Sequence, residues 1–233
     1  MQFWLLPGVC VVCRRPSGRE FDLCRPCQVT LVATDRPCLA CALPLPPGDY
    51  SSPVCGRCLG RTRRMTRTLA AFPYQEPVST LIARFKYHGG LQHGRVLGIL
   101  LLEQIREAYR DQPLPELLLP VPLHPSRLRE RGFNQALVLA RQLGAALQIP
   151  VAHEHLQRVR QTPPQQGLSA RERKRNLRRA FHSHPAADWQ HYKSIALVDD
   201  VVTTMSTVHE LARVLRRQCS QELAVHVWCL ARA

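Results

Sequence analysis

The chain has 233 residues, 45% of them hydrophobic, enough for one substantial domain and a smaller one. Its formal net charge of +15 favours polyanions and phosphates through a salt-sensitive field that carries no sequence information. No stretch approaches the roughly 20 apolar residues of a spanning helix, and the start, MQFWLLPGVC, lacks a basic n-region and a small-residue cleavage site. A mature cytoplasmic protein without a membrane span is the expectation.

Cysteine divides the sequence into 1–66 and 67–233. Eight of the ten cysteines form four C-x-x-C pairs: Cys10 and Cys13, Cys24 and Cys27, Cys38 and Cys41, Cys55 and Cys58. Apolar periodicity there is too sparse for a free-standing core, so a cross-link must supply stability. Two knuckles complete a tetrahedral four-cysteine site, which predicts one or two structural zinc ions. Consecutive pairing gives two compact sites, and interleaved pairing remains open. Disulfides would suit an exported chain, and a redox C-x-x-C belongs to a thioredoxin-like βαβ pattern absent here. Cys219 and Cys229 read as plain buried cysteines.

From Thr68 the pattern changes to alternating strands and helices. TLAAFPY reads as a strand, followed by helices in EPVSTLIARFKYHGG and RVLGILLLEQIREAYR. The glycines of GLQHG read as a helix end. PELLLPVPL is a buried strand, NQALVLARQLGAALQ a helix, SIALV a strand ending at Val198, STVHELARVLRRQ a helix and ELAVHVWCL a last strand. That alternation predicts an α/β fold, a parallel sheet flanked by helices with ligands at the carboxyl ends of its strands.

One such end stands out. Asp199 and Asp200 follow SIALV, and Thr203 to Thr207 then lead into a helix whose Thr207 and Glu210 fit a capping box. Amides and hydroxyls at a helix start cradle a phosphate, while two acids suit the hydroxyls of a ribose or a metal beside it. A ribose 5-phosphate satisfies both.

IALVDDVVTTMST resembles the motif for 5-phosphoribosyl 1-pyrophosphate (PRPP) in type I phosphoribosyltransferases. The resemblance implies that fold for 67–233, Asp199 and Asp200 on the ribose, and Thr203, Thr204, Met205, Ser206 and Thr207 around the 5-phosphate. Met205 replaces the usual glycine. A left-handed backbone there would cost about 1–2 kcal/mol, and the side chain could also crowd the phosphate; either effect would weaken PRPP binding and activity without abolishing the fold. Thr203 stands where several relatives place an acid near the base.

Two further stretches narrow the resemblance. In PVPLHPSRLRERGFNQA, Arg127, Arg129 and Arg131 offer guanidinium forks for a pyrophosphate or a nucleic-acid backbone. RQTPPQQGLSARERKRNLRRAF reads as a mobile loop and short basic helix that can close over a sugar phosphate or lie along DNA. RGFNQ, the spacing of Thr162, Gln165, Leu168, Arg173, Asn176 and Phe181, the cysteine pairs and the closing VHVWCLAR together resemble the ComF family. Its members are competence proteins for DNA uptake and relatives linked to DNA or gluconate utilisation.

The ten histidines are scattered without acid or cysteine at ligand spacing, and no P-loop, G-x-S-x-G or H-E-x-x-H occurs. Three functions fit. The first is an accessory protein that binds a PRPP-type sugar phosphate, handles single-stranded DNA and assists the DNA-uptake machinery. The second is an active phosphoribosyltransferase using Mg-PRPP and a nitrogen acceptor. The third is a PRPP sensor without turnover.

Overall fold

The computed structural model describes residues 8–48, 51–59, 65–87, 90–160, 179–185, 187–219 and 222–233. At its centre lies a four-stranded sheet of β1 (Arg67–Pro73), β6 (Ala224–Arg232), β5 (Ser194–Val202) and β2 (Leu117–Pro120), in that spatial order. All three pairings are parallel. Covered on both faces, such strands need unbroken apolar runs, and Leu117–Leu119 and Ile195–Val198 supply them.

The two faces build separate cores. Ile195, Leu197, Val225 and Val227 pack beneath α7 (Ser206–Arg216), along with Phe181. β4 (Phe181–Ser183) and β3 (Leu156–Arg158) form a small antiparallel pair. On the opposite face, Ala196, Val198 and Trp228 pack against α3 (Val78–Lys86), α4 (Leu91–Ala108) and α6 (Gln135–Leu147). The cysteine-rich region adds α1 (Arg25–Thr30) and α2 (Gly56–Leu59), and α5 (Pro125–Arg131) follows β2.

Three local expectations are corrected. The glycines of GLQHG do not end a helix: Gly90 precedes α4 and Gly94 lies inside it. A Cβ on Gly94 would stand 2.3 Å from the Phe85 ring, so the residue serves close helix packing. β5 does not stop at Val198 but runs on to Val202. The Thr207–Glu210 capping box does not form either. α7 starts at Ser206 behind Met205, and Glu210 instead accepts from the Arg179 N–H at 3.0 Å and from Arg213 Nε at 2.9 Å.

Candidate functional site

Cysteine spacing fixes the first feature. Cys10, Cys13, Cys24 and Cys27 converge, as do Cys38, Cys41, Cys55 and Cys58, with all Sγ atoms of each group within 4.8 Å of one another. The consecutive pairing is therefore the one adopted. Cys13 and Cys24 Sγ lie 3.8 Å apart, and so do Cys41 and Cys55 Sγ. Zinc–sulfur bonds of ~2.3 Å in a tetrahedron place sulfurs about 3.8 Å apart, so both groups fit a structural zinc. The amides help. Burial opposes ionisation of Cys10, yet the N–H groups of Cys13, Cys24 and Val12 pull its thiol down to about 6. Cys38 is also held low against burial, with the Cys55 N–H 3.2 Å from its sulfur. Among the described residues these are the two clusters with metal-holding geometry.

The second feature sits where β5 outruns β2. β2 pairs as far as Pro120 opposite Val198, and the Val121 N–H still reaches the Val198 carbonyl at 2.9 Å. Beyond that point β5 keeps its β6 partner, with Asp199 opposite Cys229 and Val202 opposite Arg232. The acids thus lie on an overhanging strand end. Asp199 Oδ1 accepts the Asp200 N–H at 2.9 Å, and Asp200 Oδ1 accepts the Val201 N–H at 2.6 Å. Burial, then the neighbouring Asp200 charge, pushes the Asp199 carboxyl up to about 7, despite the Asp200 amide, Lys86 and Arg158.

The turn after the acids is open. Thr203 is exposed, and Thr204, Ser206 and Thr207 are half-buried, with the Thr204 and Ser206 hydroxyls 2.9 Å apart. Met205 has φ 62°, the left-handed conformation that its glycine-like place implied. Its side chain is only 6% exposed and packs in the core with Cys38, Cys41 and Val54. The methionine is thus turned away from solvent. Met205, the N-cap of α7, makes no side-chain capping bond to the first amides of the helix.

One cation absent from the sequence-derived site meets the acids, and a second lies within their field. Lys86 Nζ lies 3.2 Å from Asp200 Oδ2, both side chains largely buried. Burial and Arg127 loosen the Arg158 proton while Asp199 tightens it, so Arg158, Arg127 and Asp199 share one electrostatic neighbourhood. Lys86 had a signal, the cation closing the apolar LIARFKYHG helix. Arg158 had none, being a lone arginine on a three-residue strand.

The three arginines of the β2 exit do not act as one cluster. They lie on α5, where Arg129, two residues from each of the others, points to a different side, while Arg127 and Arg131, four apart, share one and take different partners. Arg127 pairs with Glu130 at 3.1 Å, Arg131 Nη1 donates to Gln135 at 3.0 Å and stands over the Tyr87 ring, and Arg129 is exposed. RGFNQ builds the joint behind them. Gly132 takes φ 78° to end α5, Phe133 meets Phe85, and Asn134 caps α6 by accepting the Ala136 N–H. Buried Gln135 donates to the Lys86 carbonyl at 3.5 Å, linking this joint to the acid-bound lysine. Gln165, Arg173 and Asn176, with Thr162 and Leu168, lie outside the described residues.

Comparison with known proteins bears on the cysteine groups and on the chain as a whole. The double zinc ribbon domain family matches residues 1–59. Competence protein F of Haemophilus influenzae is 40% identical over 187 residues, covering 79% of this chain and 81% of that protein. DNA utilization protein YhgH of Escherichia coli K12 is 36% identical over 230 residues, covering 97% of this chain and 98% of that one. A purine phosphoribosyltransferase from Pyrococcus horikoshii has TM-score 0.35 and 16% identity, covering 59% of this chain and 71% of that structure, a depth at which the likeness carries no functional information. No helix among the described residues is long and apolar enough to cross a membrane.

Proposed function

The chain belongs to the family of competence protein F and DNA utilization protein YhgH, and from that premise we propose that it assists the uptake or use of DNA in the cytoplasm. It does so as a phosphoribosyltransferase-like protein that binds a ribose 5-phosphate or PRPP-type ligand and handles single-stranded DNA. The observation that carries this reading is the acid pair on the overhang of β5 running straight into a hydroxyl turn whose methionine is turned inward.

In this reading Asp199 and Asp200 take the ribose hydroxyls. The amides and hydroxyls of Thr203–Thr207 take the 5-phosphate at the start of α7, where the helix dipole favours an anion. Lys86 beside Asp200, with Arg158 and Arg127 in the same electrostatic neighbourhood, would supply the counter-charges for a pyrophosphate. Magnesium brought in with PRPP would be held beside Asp199 and Asp200, where it would neutralise pyrophosphate charge. Gln165, Arg173 and Asn176 are proposed to close over the ligand or along DNA. DNA is held through phosphates by the excess of arginine. With aromatics sparse near the arginines, base stacking contributes little, so binding is weak and steep in salt.

The cation set also favours a second reading, an active transferase that stabilises departing pyrophosphate. Titration calorimetry with Mg-PRPP, next to anisotropy of labelled single-stranded DNA at several salt concentrations, tests both. Wild type should bind Mg-PRPP, and Asp200→Asn should weaken it at least about tenfold through the lost ribose acceptor. DNA affinity should fall steeply with salt in both proteins. Equal Mg-PRPP binding by the variant removes the ligand reading, and flat salt dependence removes the DNA reading. Release of pyrophosphate with a nitrogen base would favour the transferase.

A further inference from the structure

The second cysteine group is bolted to the sheet through its own backbone. Three consecutive carbonyls of the Cys38–Cys41 knuckle accept from sheet residues: Leu39 from the Thr68 N–H at 2.7 Å, Ala40 from the Thr68 hydroxyl at 2.9 Å, and Cys41 from Arg232 Nε at 2.7 Å. Arg232 is the last residue of β6 and is 9% exposed. The other side of its guanidinium donates from Nη1 to the Val202 carbonyl at 3.1 Å and to the Ala233 carbonyl. The Ala233 N–H adds a second bond to Val202 at 3.0 Å.

Val202 is the last residue of β5, and Thr203 follows it directly into the hydroxyl turn. A single planar fork thus spans from a metal-group knuckle to the residue that launches the turn. The packing runs in parallel, because Val202 and Met205 share one buried cluster with Cys38, Cys41 and Val54. A buried guanidinium with fixed donors suits such a span better than a lysine, whose single ammonium cannot reach both carbonyls in one geometry. Groups just outside a metal's ligands orient those ligands, and the coupling works in both directions.

We propose that Arg232 is a positioning residue that transmits the folded state of the second cysteine group to the Thr203–Thr207 turn, so that metal bound at Cys38, Cys41, Cys55 and Cys58 holds this turn in its ligand-ready shape. The functional part of the statement rests on the reading of that turn as the sugar-phosphate site; the mechanical part does not.

The test is amide hydrogen exchange on the full, ligand-free chain, with zinc release to a chromogenic chelator followed in the same samples. Arg232→Met should speed exchange of Val202–Thr207 by about tenfold, leave Ile195–Val198 unchanged, and hasten release of one zinc of two. Arg232→Lys should restore the zinc release rate in part but not the turn, since it returns the charge without the fork. In wild type, chelation of the second zinc should loosen the same turn, which keeps the test valid if Arg232→Met fails to fold. Exchange of the turn unchanged in Arg232→Met, or unchanged in wild type after that zinc is removed, overturns the proposal. Because exchange is read without ligand, a failure of Mg-PRPP to bind leaves a different signature from a failure of the coupling.

Discussion

The two cysteine groups share a motif and a geometry, with ten residues between the knuckles of the first and thirteen in the second, yet they serve opposite faces of the sheet. The first packs through Cys10, Val11, Leu23 and Leu31 into the core of α3, α4 and α6, the side of Lys86. The second packs under the Met205 turn and is hydrogen-bonded to β1 and β6. Repetition in sequence therefore does not mean repetition in role. What differs is the neighbour each ribbon was folded against, and that neighbour decides which part of the acid-and-hydroxyl site a lost metal would disturb.

The largest effect that can break this contrast comes from the ligands themselves. Cys13→Ser and Cys38→Ser should each remove one zinc per chain and cost more than about 4 kcal/mol, the range associated with loss of a metal. Only Cys38→Ser should also abolish Mg-PRPP binding. Metal analysis, denaturation and calorimetry on the two variants check this, and identical ligand affinity in both erases the distinction.

Asp199 gives the next effect. Its folded carboxyl sits near 7, above the unfolded value near 4, so the native state binds this proton more tightly than the unfolded chain does. Its contribution is thus favourable at low pH and is lost as pH rises from about 4 to about 7. Asp199→Asn should remove that loss, gaining on wild type by about 1 kcal/mol per pH unit across the window and levelling off above it. Urea midpoints at pH 5, 6 and 8 read the slope.

Met205→Gly sets two effects against each other. Relief of the left-handed backbone returns about 1–2 kcal/mol, whereas removing a buried methionine side chain costs about 2–5. Packing wins, and the variant should be less stable by about 1–3 kcal/mol in urea. On the opposite side, Gly132→Ala should cost about 1 kcal/mol by forcing a Cβ into φ 78° at the end of α5. Smallest of all, Arg129→Ala should leave Mg-PRPP affinity within about twofold of wild type, as expected of an exposed side chain. Arg127→Ala should weaken it clearly.

The frame of the molecule was legible because its signals are local. Buried parallel strands must be continuous apolar runs, helices must repeat every three to four residues, and C-x-x-C pairs announce their own geometry. The site was legible where it is contiguous, from Asp199 to Thr207. It was obscured where three-dimensional placement decides. Lys86 and Arg158 are far from the acids in sequence, and only folding brings them together. Thr207 and Glu210 have capping-box spacing, but Arg213 and the Arg179 amide claim the glutamate first. Arg127, Arg129 and Arg131 look equivalent in a string, but on the helix Arg127 and Arg131, four apart, share a side that Arg129 does not.

The central proposition is that the carboxylate pair and the turn behind it receive a phosphorylated pentose. Hydrogen exchange of the segment 199–207 with and without Mg-PRPP, on the zinc-loaded chain, addresses it most directly. The account predicts slowed exchange there, lost in Asp199→Asn/Asp200→Asn. Unaltered exchange at saturating Mg-PRPP, or equal protection in the double variant, would contradict it.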